Sequence, residues 1–156
     1  MSEYVRYASD IGKKIILANC QVQEGSGKPG LVRRAVDFPS LMLSLGFSPA
    51  FTFYVSKVEN YHNVLAFYQT IKGNSSNTSI ICSELEKKES TGYAGYIGIL
   101  LTILEKIGKK MGVINDPIKL YSYLMDITNE VEVKDERLIL PYLNEIKKVL
   151  EALPYG

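Results

Sequence analysis

Four groupings in this 156-residue sequence have residue types and spacings that could do chemistry. Gly25, Gly27 and Gly30 match the G-x-G-x-x-G dinucleotide pattern. That pattern works when a strand precedes the turn and the next helix aims its N-terminus at a pyrophosphate. Here helical periodicity precedes the glycines and Pro29 intrudes, so an interhelical loop is expected. The stretch also fails as a P-loop, because Lys28 is followed by Pro29 and the first glycine's place is taken by Val22. Asp126 and Glu130, four apart on one expected helix, could share a hard divalent cation. No further ligand accompanies them, and a solvated acidic face is the expectation. His62 is the only histidine and stands between Tyr61 and Asn63, with no recognisable triad segment around it. Cys20 and Cys82 belong to no CxxC or Cys/His cluster. With His62 they make at most three candidates for a zinc site that needs about four. No catalytic constellation, metal site or cofactor site is expected, and the chain is read as a non-enzyme.

Basic residues are more informative. The net charge is only +1, which argues against a wholly basic, histone-like binder. Residues 1–72 carry eight basic and five acidic side chains, and 73–156 carry ten and twelve. Any polyanion would therefore be met by a patch on the front half. Lys13, Lys14, Lys28, Arg33, Arg34 and Lys57 come from the first three expected helices and the loop between them. If those helices pack consecutively, these side chains could line one phosphate-binding face; the bland alternative is scattered solubilising charge. Gly92, Gly95 and Gly98 step by three and cost helix propensity. Close approach of a neighbouring helix would explain them, as would approach of another subunit or an RNA backbone.

The elements that must position these residues are helical nearly throughout. Tyr4, Ala8, Ile11, Ile15, Ala18 and Val22 form one apolar stripe. Leu31, Ala35, Phe38, Met42 and Leu45 form a second, with a kink expected at Pro39 or a restart near Phe38, and a stop at Gly46. Ser48-Pro49 reads as cap and first residue of a third helix, and residues 60–72 as a fourth, closed by Gly73. Residues 74–79 read as a polar loop, in which two Asn-x-Ser/Thr-like matches carry no further meaning. A short helix is expected over 79–89, although Ile80-Ile81-Cys82 would also suit a strand; Glu84-Leu85-Glu86-Lys87-Lys88-Glu89 is expected to be an ordinary exposed surface. Thr91 is expected to cap a helix running to Met111, Asp116-Pro117 to open the next, and Pro141 to start the last. The expectation is a single all-α domain over 1–156: a compact bundle of six to eight helices, with loops near 25–30 and 73–79.

The first residues lack the basic-then-apolar pattern of a signal peptide. The longest near-apolar run, 93–104, is shorter than the ~20 residues a bilayer span requires. A cytoplasmic protein with reduced thiols and no membrane partner is the expectation.

The segment Arg33-Arg34, Phe38-Pro39-Ser40-Leu41-Met42-Leu43, Gly46-Phe47 and Ala50-Phe51 resembles the small α-helical subunit of type III CRISPR effector complexes, closest to the Cmr-type. Phe47 replaces the usual leucine, Ser48-Pro49 departs from the commoner sequence, and the specific likeness covers roughly residues 1–58. The resemblance implies a non-catalytic subunit in antiviral defence, stacked with copies of itself and with other effector subunits along the guide–target RNA channel. With the resemblance added, RNA-backbone contact is expected of Arg33 and Arg34, with Lys13, Lys14 and Lys57 extending the track. Such contact is sequence-independent, as guide-programmed recognition requires. The large apolar supply and the Gly92, Gly95 and Gly98 face lead us to expect weak self-association when free. The alternative is a helical DNA-binding regulator or protein-interaction adaptor. The helix after Gly46, rich in Phe and Tyr, is too apolar to read a DNA groove.

Overall fold

The run that is too short for a membrane becomes the centre of the molecule. A helix that is apolar all round must be buried on every side. In the computed structural model, which describes residues 2–23, 27–73 and 77–155, all twelve residues 93–104 are buried. Eight helices and no strands are present among the described residues: α1 (Glu3–Leu17), α2 (Gly30–Leu45), α3 (Phe47–Ser56), α4 (Tyr61–Lys72), α5 (Thr78–Glu84), α6 (Tyr93–Lys106), α7 (Pro117–Glu130) and α8 (Val133–Glu151). The chain is all-α, as expected. Around α6 lie α4, α2, α3, α5 and α8, while α1 packs chiefly on α8 and α7 chiefly on α3. One buried cluster takes residues from all eight helices, including Ile11, Phe38, Phe51, Phe67, Ile81, Ile97, Leu124 and Leu143. No helix is long and apolar enough to cross a membrane among the described residues.

The glycines of α6 serve this packing. A Cβ on Gly98 would stand 3.0 Å from the backbone nitrogen of Tyr68 and 3.1 Å from the Val64 carbonyl oxygen. One on Gly95 would meet Phe67 and Glu84 at 3.1 Å. Gly92, at φ +96°, lies against Gly30: its Cβ would fall 2.3 Å from the Gly30 carbonyl carbon. Of the two readings of this Gly-x-x-Gly-x-x-Gly step, the structure selects close approach within the chain.

Several boundaries differ from the sequence reading. Helix α1 ends at Leu17, because Asn19 turns to φ 53° and sends the chain toward Cys82. Helix α2 runs through Pro39, and α8 through Pro141, each as one element rather than restarting at the proline. Packing outweighs the lost backbone bond there: Phe38, Pro39 and Met42 are buried on α2, and Ile139, Tyr142 and Leu143 on α8. Ser48 does not cap α3; its hydroxyl donates to the Thr128 carbonyl, joining α3 to α7. Thr91 does not cap α6 either, since its hydroxyl turns back to the carbonyls of Glu86 and Lys88. Helix α6 stops at Lys106, short of Met111, and Gly108 follows at φ +96°. The cap at Asp116 is as expected, accepting from the Ile118 N–H at 2.9 Å, and Asn60 caps α4 in the same way, accepting from the His62 N–H at 2.9 Å. Gly25 and Ser26, with the Asn74-Ser75-Ser76 match, lie outside the described residues.

The thiols are not reduced: Cys20 and Cys82 form a disulfide across a sequence separation of 62. Zinc-style counting treats two distant cysteines as unrelated, but the turn at Asn19 and the docking of α5 bring their Cα atoms to 5.2 Å.

Candidate functional site

The five basic residues expected to face RNA do not line one face, because α2 and α3 pack together but α1 packs on α8 rather than on α2. Lys13 is exposed on α1, whose main partner is α8 rather than α2. Lys14, next to it, donates its ammonium to the Ile71 carbonyl at the C-terminal turn of α4, where the unsatisfied carbonyls and the helix dipole favour a cation. Lys57 is exposed at the end of α3, with Nζ 5.3 Å from the Phe53 ring centroid.

Arg33 and Arg34 both turn to the segment between α5 and α6. Arg33 donates Nη2–H to the Lys88 carbonyl and sets Nη1 3.7 Å from the Glu89 carboxylate. Arg34 is only 5% exposed. Its Nε–H donates to the Thr91 carbonyl at 3.1 Å, its Nη2–H donates to the Glu89 carbonyl, and its guanidinium lies over the Tyr93 ring. Arg34 therefore organises a turn and offers no ligand a free face. The sequence pattern could not show this, because basic residues on a helix are ordinarily solvated.

Other chemistry-bearing residues fall as follows. His62, Asp126 and Glu130 are exposed. No group of three or more His, Cys, Asp or Glu able to hold a metal ion occurs among the described residues. Glu84, expected on an exposed surface, is buried instead. Its Oε1 accepts the Gly95 N–H at 2.5 Å, and the Gly92 N–H also bonds the carboxylate, so it caps the first turn of α6. Burial raises its pKa, and the two backbone donors work against that rise.

What the fold does assemble is a different polar group. A cleft of about 600 Å³ opens between α1, α4 and α6, walled by Tyr7, Asp10, Ile11 and Lys14, by Ile71 and Lys72, and by Thr102, Glu105 and Lys106. Lys72 pairs with Glu105 at 3.0 Å, and the Tyr68 hydroxyl donates to the same carboxylate. Glu105 chiefly, and Tyr68 after it, hold the Lys72 ammonium pKa above its usual value. The Tyr7 hydroxyl donates to Thr102, which in turn donates to the Ile99 carbonyl. Burial pushes the Tyr7 phenol up to about 12, so it stays protonated at neutral pH. Lys106 lays Nζ 4.6 Å from the Tyr7 ring centroid. The result is a polar wall of three ammonium groups, two carboxylates and neutral hydroxyls.

Of these residues, only Lys14 belongs to the basic set found in the sequence. Lys72 and Lys106 sit on helices far apart in the chain, and no period links them. The one available signal was Thr102, a hydroxyl inside a wholly buried run, which requires a partner.

No protein-family model, curated protein or solved structure matches the chain.

Proposed function

We propose that this chain is a non-catalytic small subunit of a type III CRISPR RNA-guided effector complex, contacting the RNA backbone in antiviral defence. The observation that carries this reading is the Arg33–Phe51 motif segment, whose residue pattern resembles the Cmr-type small subunit. That segment forms α2, the turn at Gly46 (φ +88°) and α3. Of its apolar motif positions, Phe38, Met42, Phe47, Ala50 and Phe51 are buried, Leu41 is half-buried and Leu43 is exposed. The Pro-Ser-Leu and Gly-Phe elements of the motif thus correspond to one interlocked helical corner. In this reading, phosphate contact belongs to exposed Lys13 and Lys57 and to the partly engaged Lys14 and Arg33, while Arg34 supports the corner from within.

The test is purification of a tagged chain from its native cell. Effector subunits and guide RNA should copurify, and the purified chain alone should not cleave RNA with magnesium or manganese. Recovery of the chain with neither effector subunits nor guide RNA would remove the reading.

A further inference from the structure

We propose that the cleft between α1, α4 and α6 is a binding site for a phosphate group. Three ammonium groups from three helices converge there: Lys14, Lys72 and Lys106. Two carboxylates oppose them, Asp10 and Glu105. Glu105 is already taken up by Lys72 and by the Tyr68 hydroxyl. Lys14 and Lys106 therefore face the cleft against Asp10 alone, and the lining carries a net positive charge.

Neither ammonium is exhausted. Lys14 uses one N–H on the Ile71 carbonyl, and an ammonium has three. Lys106 has no carboxylate within 4.0 Å among the described residues; its ring contact holds the charged end beside the cleft. That contact reduces the side-chain freedom that binding would otherwise have to remove. The cleft volume of about 600 Å³ lies within the range of small-molecule sites, and is ample for a phosphate with an attached nucleoside. An anionic ligand fits this inventory better than a cationic one, and compact ammonium groups are suited to phosphate oxygens.

The same chemistry could come from an RNA phosphodiester or from a free nucleotide or phosphate, and two probes separate them. The inference concerns the isolated chain and does not depend on membership of an effector complex. Sodium pyrophosphate and an octamer of uridylate lacking a terminal phosphate are each titrated into the full chain by calorimetry, at low and at moderate salt. Lys106→Gln keeps much of the stem over Tyr7 and removes the charge; Lys119→Gln, at an exposed position of α7, is the control. At least one probe should bind, and Lys106→Gln should weaken it about ten-fold, as loss of a charge-assisted bond does, with the melting temperature unchanged. Displacement of pyrophosphate by the octamer, or binding of the octamer alone, assigns the site to RNA backbone. Pyrophosphate binding that the octamer does not displace assigns it to a free phosphate ligand. Absence of binding by both probes, or equal affinities for Lys106→Gln and the unaltered chain, overturns the proposal.

Discussion

The Arg34 guanidinium carbon lies 4.0 Å from the centroid of the Tyr93 ring, and that contact, beside the Gly30–Gly92 approach, joins the N-terminal half of α2 to the first turn of α6. The guanidinium also bonds the carbonyls of Glu89 and Thr91, so one buried side chain ties the α5–α6 connection to the core. Beside it the Tyr54 hydroxyl donates to the Arg34 carbonyl at 2.8 Å.

Arg34→Ala should therefore lower the unfolding free energy by about 2–4 kcal/mol, since it leaves two carbonyls without their donor and opens a space over Tyr93. Arg34→Lys should recover little, because an ammonium cannot reproduce the planar fork. Arg33→Ala should cost less than Arg34→Ala, its carboxylate partner being almost fully exposed. Urea denaturation of the three variants checks the order. Equal losses for Arg33→Ala and Arg34→Ala would contradict it.

Gly98→Ala should destabilise by about 1–3 kcal/mol even though alanine is the better helix former, because the new methyl would press on the backbone of α4. Gly30→Ala should be more damaging, since its Cβ would fall 2.7 Å from the Thr91 carbonyl oxygen. Thermal melts of the two variants provide the comparison. A rise in melting temperature for Gly98→Ala would mean that α4 and α6 are not in close contact there.

Glu84 makes stability depend on pH in a defined direction. Its folded pKa is raised above the ordinary 4.5, chiefly by burial, so the folded state binds the proton more tightly than the unfolded chain. Its contribution is then most favourable below the ordinary value and declines as pH rises from there through the folded pKa. Relative to Glu84→Gln, the unaltered chain should lose stability as pH rises from about 4 to 7. The readout is the difference in urea midpoint between the two proteins at each pH. A difference that stays flat, or grows in favour of the unaltered chain, would refute the assignment.

The Cys20–Cys82 bond closes a loop across a sequence separation of 62. Chain-entropy arguments give such a closure about 4 kcal/mol. Reduction with dithiothreitol, or the Cys20→Ser, Cys82→Ser double variant, should lower the urea midpoint. Amide exchange should quicken first in α5, the seven-residue helix that the bond anchors. Unchanged stability and exchange on reduction would show that the bond contributes nothing.

Local patterning alone determined most of the secondary structure. The apolar stripe of α1, the caps at Asn60 and Asp116 and the stop at Gly73 each depend on neighbours two to four residues away, so the one-dimensional order contains the information. The near-apolar run 93–104 reads locally as a helix, but only packing against its neighbours made it the central one. Pro141 is where the local rule failed: buried partners kept α8 continuous where a start was expected, as they kept α2 from restarting at Pro39, and those partners lie elsewhere in the chain. Every departure at a functional group has this long-range character. Arg34 was indistinguishable from Arg33 in sequence, yet their burial differs because only one faces Tyr93. Glu84 looked like part of a solvated charge run until α6 placed two N–H donors beside it. Cys20 and Cys82 became partners, and Lys14, Lys72 and Lys106 became neighbours, only when α1, α4, α5 and α6 were brought together. Charge type is written at each position, but burial and proximity are properties of the packed chain, and those two quantities decide which charges meet a ligand.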